Sequence, residues 1–257
     1  MAEQYFTADP TCESKQVPCS FVYRGHGLNF MTDAGVFSKG ELDTGTRLLL
    51  DALPDVYGDV LDLGCGYGWH CKFAEEQGAV QILGIDISQR MLNEAQKRNA
   101  GENIRYRLCN IENYEYPENT WDCVVSNLAL HYIADLENIC QKVYQTLKPG
   151  GIFLFNIEHP VFTAGINQDW IYSDDGTAQF WPVDNYYPPG ERHTNFLDYD
   201  VVKQHHTLTQ ILMGLLHNGF TLQAVEEAMP SPDMLDIPGM KDELRRPMML
   251  LVKAQKR

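Results

Sequence analysis

Residues 59–86 read DVLDLGCGYGWHCKFAEEQGAVQILGID and decide the fold of this chain. Val60, Leu61 and Leu63 form a short apolar run that predicts a buried strand, and it breaks into the turn GCGYG at 64–68. Glycine permits positive φ angles and lets a bound molecule approach the backbone closely. The helix after the turn would present free amide groups and the positive end of its dipole. The stretch therefore predicts a ligand site at a strand–turn–helix junction.

A second apolar run, QILGI at 81–85, ends at Asp86. In doubly wound α/β folds, an acid at such a strand end, about 20 residues past the glycines, accepts hydrogen bonds from a ribose diol. We therefore predict that Asp86 binds the nucleoside part of a ligand.

The segments LDLGCGYG at 61–68 and GIDIS at 84–88 are similar to the cofactor-binding motifs of class I, Rossmann-like S-adenosylmethionine (SAM)-dependent methyltransferases. Within that family the chain resembles the small-molecule type of the UbiE- and methyltransferase-domain-11-like group. The glycine spacing is Gly-x-Gly-x-Gly, whereas dinucleotide enzymes use Gly-x-Gly-x-x-Gly. LKPGG at 147–151 is a further hallmark, and the resemblance covers residues 45–157 and 205–254. It implies SAM as cofactor and S-adenosylhomocysteine as its product.

The resemblance implies an α/β fold with a doubly wound, mostly parallel seven-stranded sheet whose last strand is antiparallel. In chain order we expect an N-terminal lid or irregular segment at 1–37, the SAM-binding core at 38–157, a cap insertion at 158–204 and, at 205–257, a C-terminal helix with the last two core strands. A capping box at 38–41 would start the first core helix. LKPGG would end the helix before the fifth strand, at 152–157.

Residues 158–202 lose helix and strand periodicity but are dense in aromatic side chains. Such a long segment inside a compact domain is usually functional or disordered, and the aromatic density argues against disorder. We interpret it as a cap of short strands that forms the substrate pocket; an aromatic packing or dimerisation arm is the alternative. The N-terminal segment is either a lid carrying Tyr23, Arg24 and Asn29 or a stretch held by aromatic burial.

The resemblance also implies a set of cofactor-binding residues: Asp62, Gly64, Cys65, Gly66, Gly68, Asp86, Ile87, Asn110, Ile111, Glu112, Ser126, Asn127 and His131. Related methyltransferases often carry an acid at the position of Asn110 that binds the adenine amine. An amide oxygen can still accept that hydrogen bond, and Glu112 is either a substitute or an exposed turn carboxylate. Asn127 and His131 would lie beside the reactive methyl group, although His131 could instead be a packed or capping histidine. The substrate-binding candidates are Tyr23, Tyr132, Glu158, Trp170, Trp181, Tyr186 and His205.

Methyl transfer from a sulfonium is an in-line displacement, so most of the catalysis comes from holding the acceptor near the methyl group. A neutral oxygen or nitrogen nucleophile also gains from a base. His159, after the fifth strand, is the first candidate and His206 the second, because histidine titrates near neutral pH. Glu158 would orient His159 or act itself. Each histidine has a structural role as its alternative.

The 257-residue chain carries 35 acids and 20 bases, a net charge of −15, which opposes binding to nucleic acid. No apolar run approaches the ~20 residues of a membrane span, and the N-terminus lacks the blocks of a signal peptide. We therefore expect a cytoplasmic protein without membrane contact. Seven cysteines without metal-ligand spacing favour reduced thiols and no metal. The expected partner is a small molecule, and the chain would be a monomer or a homodimer.

We therefore expect a SAM-dependent methyltransferase that transfers a methyl group to an oxygen or nitrogen of a small molecule. A SAM-binding scaffold or sensor without turnover is one alternative. A NAD(P)-dependent oxidoreductase is the other, and it would need its third glycine one position later.

Overall fold

The computed structural model describes residues 17–23, 26–32, 49, 51, 58–165, 167–196, 199–230 and 232–257. In chain order the strands are β1 (Val17–Tyr23), β2 (His26–Thr32), β3 (Asp59–Leu63), β4 (Gln81–Asp86), β5 (Ile104–Leu108), β6 (Trp121–Asn127), β7 (Leu147–Glu158), β8 (Ile171–Tyr172), β9 (Ala178–Phe180), β10 (Gly190–Phe196), β11 (Tyr199–His205), β12 (Phe220–Glu227) and β13 (Met249–Lys256). The helices are α1 (Trp69–Glu76), α2 (Gln89–Arg98), α3 (Leu136–Thr146), α4 (Pro160–Ala164), α5 (Leu208–His217) and α6 (Met240–Glu243). Short 3₁₀ helices occupy Ile111–Asn113, Leu130–Tyr132 and Pro232–Met234.

Seven of these strands form one sheet in the order β12-β13-β7-β6-β3-β4-β5. The strands from β7 to β5 run parallel, and β13 is antiparallel to both of its neighbours, β7 and β12. The predicted doubly wound sheet with an antiparallel last strand is therefore confirmed. The strand order reverses at β3, between β4 on one side and β6 on the other. Open α/β sheets bind their ligands at the carboxyl ends of the strands beside such a reversal.

Alternate residues of β3 pack on opposite faces of the sheet. Val60 belongs to a buried cluster that includes Phe73 of α1, and Leu61 belongs to a second cluster that includes Ile139 of α3 and Ile211 of α5. Strands that are buried on both faces read as nearly continuous apolar runs. This is why the sequence pattern located the central strands.

Strand β7 begins at Leu147 and not at residue 152 as predicted. Leu147 pairs with Trp121, and after a register shift Ile152 pairs with Cys123. Gly150 adopts a φ of 80°, which glycine reaches without strain, so the chain can bulge here and continue pairing. LKPGG therefore forms the irregular start of a strand, and α3 ends before it.

The N-terminal segment contains an antiparallel hairpin, β1–β2, so the prediction of an irregular stretch is wrong for these two strands. Two of the predicted lid residues, Tyr23 and Asn29, lie on the hairpin, and Arg24 lies outside the described residues. The capping box at 38–41 also lies outside them.

Between β7 and α5 the chain forms α4 and two hairpins, β8–β9 and β10–β11. The short strands expected in this segment are present. Within the described ranges, no helix combines the length and the apolar character needed to cross a bilayer.

Candidate active site

The glycine turn lies between β3 and α1, and two of its glycines have no room for a side chain. Gly64, Gly66 and Gly68 have φ angles of 75°, 52° and 78°, in the left-handed region that favours glycine. A Cβ atom at Gly64 would lie 2.5 Å from Cβ of Ala129, and one at Gly68 would overlap the Tyr106 hydroxyl. A Cβ atom at Gly66 would meet a single described atom within 4 Å, at 3.9 Å. The surface above Gly66 is therefore open to a ligand.

Asp86 faces this turn from the end of β4. Its Oδ2 accepts a hydrogen bond from Gly66 N at 2.9 Å, and its Oδ1 accepts one from Ser88 N at 2.8 Å. Burial raises the pKa of Asp86, and these backbone hydrogen bonds oppose the rise. Each carboxylate oxygen can accept a second hydrogen bond, so Asp86 keeps the capacity to bind a ribose diol. Ile87, which is 42% exposed, adds an apolar surface at the same strand end.

Asp62 lies at the end of β3 and is fully buried, which raises the pKa of its carboxyl to about 7. Cys71 Sγ donates to Asp62 Oδ2 at 3.3 Å, and His70 Nδ1 lies 3.8 Å from the same oxygen. Burial lowers the pKa of His70 to about 4, so its ring is uncharged at pH 7. Asp62 Oδ1 has no hydrogen-bond partner among the described residues. A buried acceptor of this kind is costly unless a donor such as an ammonium group satisfies it.

The residues expected to meet adenine follow β5. Asn110 is exposed, and its Oδ1 already accepts a hydrogen bond from Glu112 N at 2.8 Å. Ile111 is buried in the core, whereas Glu112 is exposed. Asn110 therefore caps a 3₁₀ helix and has one lone pair of its oxygen left for an amine. The cofactor roles of these three residues stay predictions.

The chain turns sharply after β6, next to the glycine turn. Ser126 Oγ donates to Leu63 O at 2.9 Å, so this buried hydroxyl joins β6 to β3 and could only accept a hydrogen bond in the predicted cofactor contact. Asn127 Oδ1 accepts a hydrogen bond from Asn156 Nδ2 at 3.0 Å. Leu128 has a φ of 54°, and its N donates to Asn156 O at 2.8 Å. An unfavourable angle of this kind is common at functional sites, where the surrounding structure holds it.

The predicted cofactor contact of Cys65 is limited to its backbone. The residue is 5% exposed, and its Sγ lies so close to Gly84 that a Cβ atom there would be 2.8 Å away. The thiol therefore packs between the turn and β4.

A buried ion pair stands at the carboxyl end of β7. Lys203 Nζ donates to Glu158 Oε1 at 2.6 Å and to Gln168 Oε1 at 3.2 Å, and the lysine side chain is 1% exposed. His131 Nε2 lies 3.9 Å from the same Glu158 oxygen. These four residues, Glu158, Lys203, Gln168 and His131, form what we call the β7-end cluster.

Three polar atoms of the β7-end cluster have no hydrogen-bond partner among the described residues: Glu158 Oε2, Gln168 Nε2 and His131 Nδ1. Burial lowers the pKa of His131 to about 4, so its ring is neutral at pH 7. The Tyr132 ring packs on it, with centroids 4.3 Å apart. Because buried polar groups are rarely left unpaired, the cluster is equipped to bind a polar molecule.

Lys203 was not predicted from the sequence. It lies on β11, where Val201, Lys203 and His205 are buried while Val202 between them is exposed. A lysine at an inward position of an alternating strand is a signal for a buried ion pair. The signal was hidden because the surrounding sequence shows no clear strand pattern.

His159 does not face the β7-end cluster. Its Nδ1 accepts a hydrogen bond from Val161 N at 3.0 Å and caps α4, and its Nε2 lies 2.9 Å from Glu227 Oε1 on β12. His159 follows the end of β7 and is directed at α4 and Glu227, whereas Glu158 is directed at Lys203. This geometry argues against the prediction of His159 as the base.

The other two predicted histidines join elements of the fold. His205 Nε2 donates to Tyr186 O at 2.7 Å, and its Nδ1 accepts a hydrogen bond from Thr163 Oγ1 at 2.7 Å. Both ring nitrogens of His205 thus have partners, which argues against a hydrogen bond from this ring to a substrate. His206 Nε2 donates to Ile133 O at 2.8 Å, so His206 keeps only Nδ1 for a role as base.

Two of the aromatic candidates lie together. Trp170 and Trp181 line a surface cavity of about 330 Å³ whose walls include Arg245 and Arg246. The guanidinium of Arg246 lies 4.1 Å from the ring centroid of Trp181. Tyr186 lies apart, and its hydroxyl accepts a hydrogen bond from the first backbone N–H of α5 at 3.2 Å. The cavity is therefore lined by both aromatic rings and guanidinium groups.

A glycine turn, an acid at the next strand end and a seven-stranded sheet with an antiparallel last strand together define the class I methyltransferase fold. The family model described as a methyltransferase domain matches residues 61–155. A solved structure from Listeria monocytogenes, assigned to the SAM-dependent methyltransferases, is 46% identical with a TM-score of 0.80, covering 83% of this chain and 97% of that chain. A SAM-dependent methyltransferase from Mesorhizobium loti is 37% identical with a TM-score of 0.77, covering 83% of this chain and 98% of that chain. The chain belongs to the class I SAM-dependent methyltransferases.

The predicted likeness to the UbiE group is also confirmed. The ubiquinone/menaquinone biosynthesis C-methyltransferase UbiE of Desulfotalea psychrophila is 35% identical over 95 residues, which are 37% of this chain and 39% of that protein. SAM is the cofactor of the family, and the site fits it: Asp86 suits the ribose, Gly66 leaves space, and Asp62 Oδ1 suits the ammonium group. Across the described part of the chain, no group of three or more His, Cys, Asp or Glu side chains is placed to hold a metal ion.

Proposed function

We propose that the protein transfers the methyl group of SAM to an oxygen or nitrogen atom of a small molecule held beside Glu158. The observation that carries this proposal is the shielded Oε2 of Glu158, which lacks a partner among the described residues. Asn127 of β6 pairs with Asn156 of β7, so Glu158 stands about 7 Å beyond the paired region of these strands. This is the position at which ligands of open α/β sheets bind.

The residues of the site divide between cofactor and acceptor. SAM, when bound, supplies an electrophilic methyl group. Asp62, Gly66 and Asp86 would hold the cofactor. An oxygen or nitrogen acceptor gives up a proton as its new bond to carbon forms. In this proposal Glu158 Oε2 or the neutral His131 ring accepts a hydrogen bond from the acceptor or takes its proton, which the lack of a described partner for Glu158 Oε2 and His131 Nδ1 supports. Because the β7-end cluster is shielded from water, these polar contacts are stronger than they would be in solution.

The segment between β7 and α5 supports a further part of the proposal, the cap over the acceptor. Gln168 of this segment reaches Lys203 at 3.2 Å, and Trp181 stacks on Phe162 of α4 with centroids 5.1 Å apart. The segment is thus fixed to the strand end that carries Glu158. We propose that the acceptor enters through the space beside Tyr132 and Trp181. The β1–β2 hairpin would act as a lid over the bound acceptor.

Thermal unfolding with SAM, S-adenosylhomocysteine, NADH and NADPH tests the cofactor, since a ligand that binds only the folded state raises the midpoint. We expect a shift with the first two ligands and none with the nicotinamides. Transfer from SAM labelled with ¹³C in its methyl group to a panel of alcohols, phenols and amines then tests the acceptor. The chemical shift of the product methyl group separates O-, N- and C-methylation.

Each outcome has a definite meaning. Label on oxygen or nitrogen supports the proposal, and label on carbon, as the name of the UbiE relative describes, contradicts it. SAM binding without label transfer to any acceptor would favour a SAM-binding sensor without turnover.

A further inference from the structure

We propose that Glu158 and Gln168, bridged by Lys203, bind the acceptor through an uncharged hydroxyl group and reject acceptors that carry a charge at that position. This inference rests on the proposed function, because it names the substrate class of the same site. A neutral amine that accepts a hydrogen bond has no lone pair left to attack the methyl group, whereas a hydroxyl keeps one, so the proposal narrows the acceptor atom to oxygen.

Glu158 offers a hydrogen-bond acceptor and Gln168 a hydrogen-bond donor, and a hydroxyl group pairs with both kinds of atom. Lys203 Nζ donates a hydrogen bond to one oxygen of each residue, at 2.6 Å and 3.2 Å. The atoms left over are Glu158 Oε2, which only accepts, and Gln168 Nε2, which only donates. A hydroxyl group donates one hydrogen bond and accepts others, so its chemistry matches both kinds of atom. A carboxylate has no proton to donate, and an ammonium group has no lone pair with which to accept.

The charge of the β7-end cluster leads to the same conclusion. The opposite charges of Glu158 and Lys203 cancel, and the His131 ring is neutral at pH 7 because it is buried. Arg246, whose guanidinium lies 5.1 Å from the Phe162 ring centroid, is already paired with Glu243 at 2.6 Å. A charged ligand entering this shielded place would lose its hydration and find, among the described residues, only charges that already have a counter-charge, whereas a hydroxyl group loses far less.

Aromatic rings border the cluster, so a phenyl ring is a suitable carrier for test groups. Lys203 Nζ lies 5.5 Å from the centroid of the Phe162 ring, and the Tyr132 ring packs on His131. The polar atoms of the cluster that lack a partner among the described residues are shielded from solvent in the ligand-free fold.

Isothermal titration calorimetry of the protein saturated with S-adenosylhomocysteine tests this with phenol, benzoate and benzylamine at pH 7. The three probes share one ring and carry a neutral, an anionic and a cationic group. We expect phenol to bind at least tenfold more tightly than either charged probe. Equal or tighter binding of a charged probe overturns the proposal, and so does the absence of measurable phenol binding.

Two isosteric variants should change the preference in opposite directions. In Glu158→Gln, Lys203 holds the amide oxygen, so a donor replaces the free acceptor and the cluster gains a positive charge. The affinity for phenol should fall tenfold, and the affinity for benzoate should rise. In Gln168→Glu, an acceptor replaces the free donor and the net charge of the cluster becomes negative, so the affinity for benzylamine should rise instead. Probe affinities that stay unchanged in both variants contradict the proposal.

Glu75→Gln is the matched control, because Glu75 is a lysine-paired glutamate on α1, with Lys72 at 2.8 Å, away from the carboxyl ends of the strands. It should leave all three probe affinities unchanged. S-adenosylhomocysteine binding is measured in every variant. Retained cofactor binding without a preference for phenol overturns this inference alone, whereas absent cofactor binding in the unmodified protein overturns the proposed function.

Discussion

Glu158 is the last residue of β7, and His159, which follows it and caps α4, points to different partners. Glu158 Oε1 lies 2.6 Å from Lys203 Nζ, and His159 Nε2 lies 2.9 Å from Glu227 Oε1. The register with β13, in which Met249 lies opposite Glu158, fixes which of the two faces the β7-end cluster. A slip of one residue would exchange them, because side chains alternate along a strand. The acid rather than the histidine therefore stands with the polar groups that suit an acceptor.

The first prediction compares these two neighbours in methyl transfer to an acceptor found by the labelling screen. We expect Glu158→Gln to lower turnover by about 100-fold or more, since it removes the proton acceptor, and to leave SAM affinity nearly unchanged. His159→Asn should keep turnover, because asparagine can still cap α4. Release of S-adenosylhomocysteine and calorimetry measure the two effects. Lost turnover in the histidine variant alone would restore His159 as the base.

The second prediction concerns Asp86. Asp86→Ala should weaken SAM binding by at least about 1–3 kcal/mol, because hydrogen bonds to a charged group are lost and Gly66 N loses its acceptor. Asp175→Ala, at an exposed position between β8 and β9, is the control and should bind SAM like the unmodified protein. Calorimetry measures both. Equal affinity in the two variants would contradict the ribose contact.

The third prediction concerns the pH dependence of SAM binding. The pKa of Asp62 is about 7 in the ligand-free fold, against an ordinary value of 3.8. Below pH 7 most of the carboxyl is protonated and cannot pair with the ammonium group of SAM. Affinity should therefore rise roughly tenfold from pH 6 to pH 8 and level off above, with protons released on binding.

Asp62→Asn is the control for this dependence. An amide does not titrate, so the variant should bind SAM more weakly and equally at each pH. Calorimetry in buffers of different ionisation enthalpy counts the protons released. A pH-independent affinity in the unmodified protein would exclude the contact between Asp62 and the ammonium group.

The fourth prediction concerns stability. Lys203→Met leaves the Glu158 carboxylate buried without its counter-charge and should cost about 3–5 kcal/mol of unfolding free energy. Lys148→Met breaks ion pairs with Asp59 and Asp122, but Lys148 is 35% exposed, so it should cost only about 0–1 kcal/mol. Urea unfolding measures both.

A double variant provides the check. Combining Lys203→Met with Glu158→Gln removes both charges and should recover part of the lost stability. A single Lys203→Met variant that is as stable as Lys148→Met would mean that the ion pair is not desolvated.

The glycine turn and the central sheet could be predicted because their signals are local. Glycine at Gly64, Gly66 and Gly68 and an acid at Asp86 reflect the backbone conformation and the strand end on which they lie. Apolar runs of four or five residues marked strands that are buried on both faces. A structure was needed only to show that β7 continues through the bulge at Gly150.

The acceptor side could not be predicted, because it depends on contacts between distant residues. Lys203 meets Glu158 across 45 positions of sequence, and neither residue alone indicates the pair. The direction of His159 depends on its place just beyond the pairing of β7 with β13, where its N donates to Met248 O, and no local pattern specifies this pairing. Residue type suggested histidine as the base, whereas the register favours the carboxylate beside it.

The position of β13 between β7 and β12 affects the self-association of the protein. A chain from which β13 has detached still holds its five parallel strands together, yet it exposes two unpaired strand edges at once. Such edges accept a matching strand from another molecule as readily as their own. The antiparallel strand that completes the sheet is therefore also the element through which two chains would exchange segments under partly denaturing conditions.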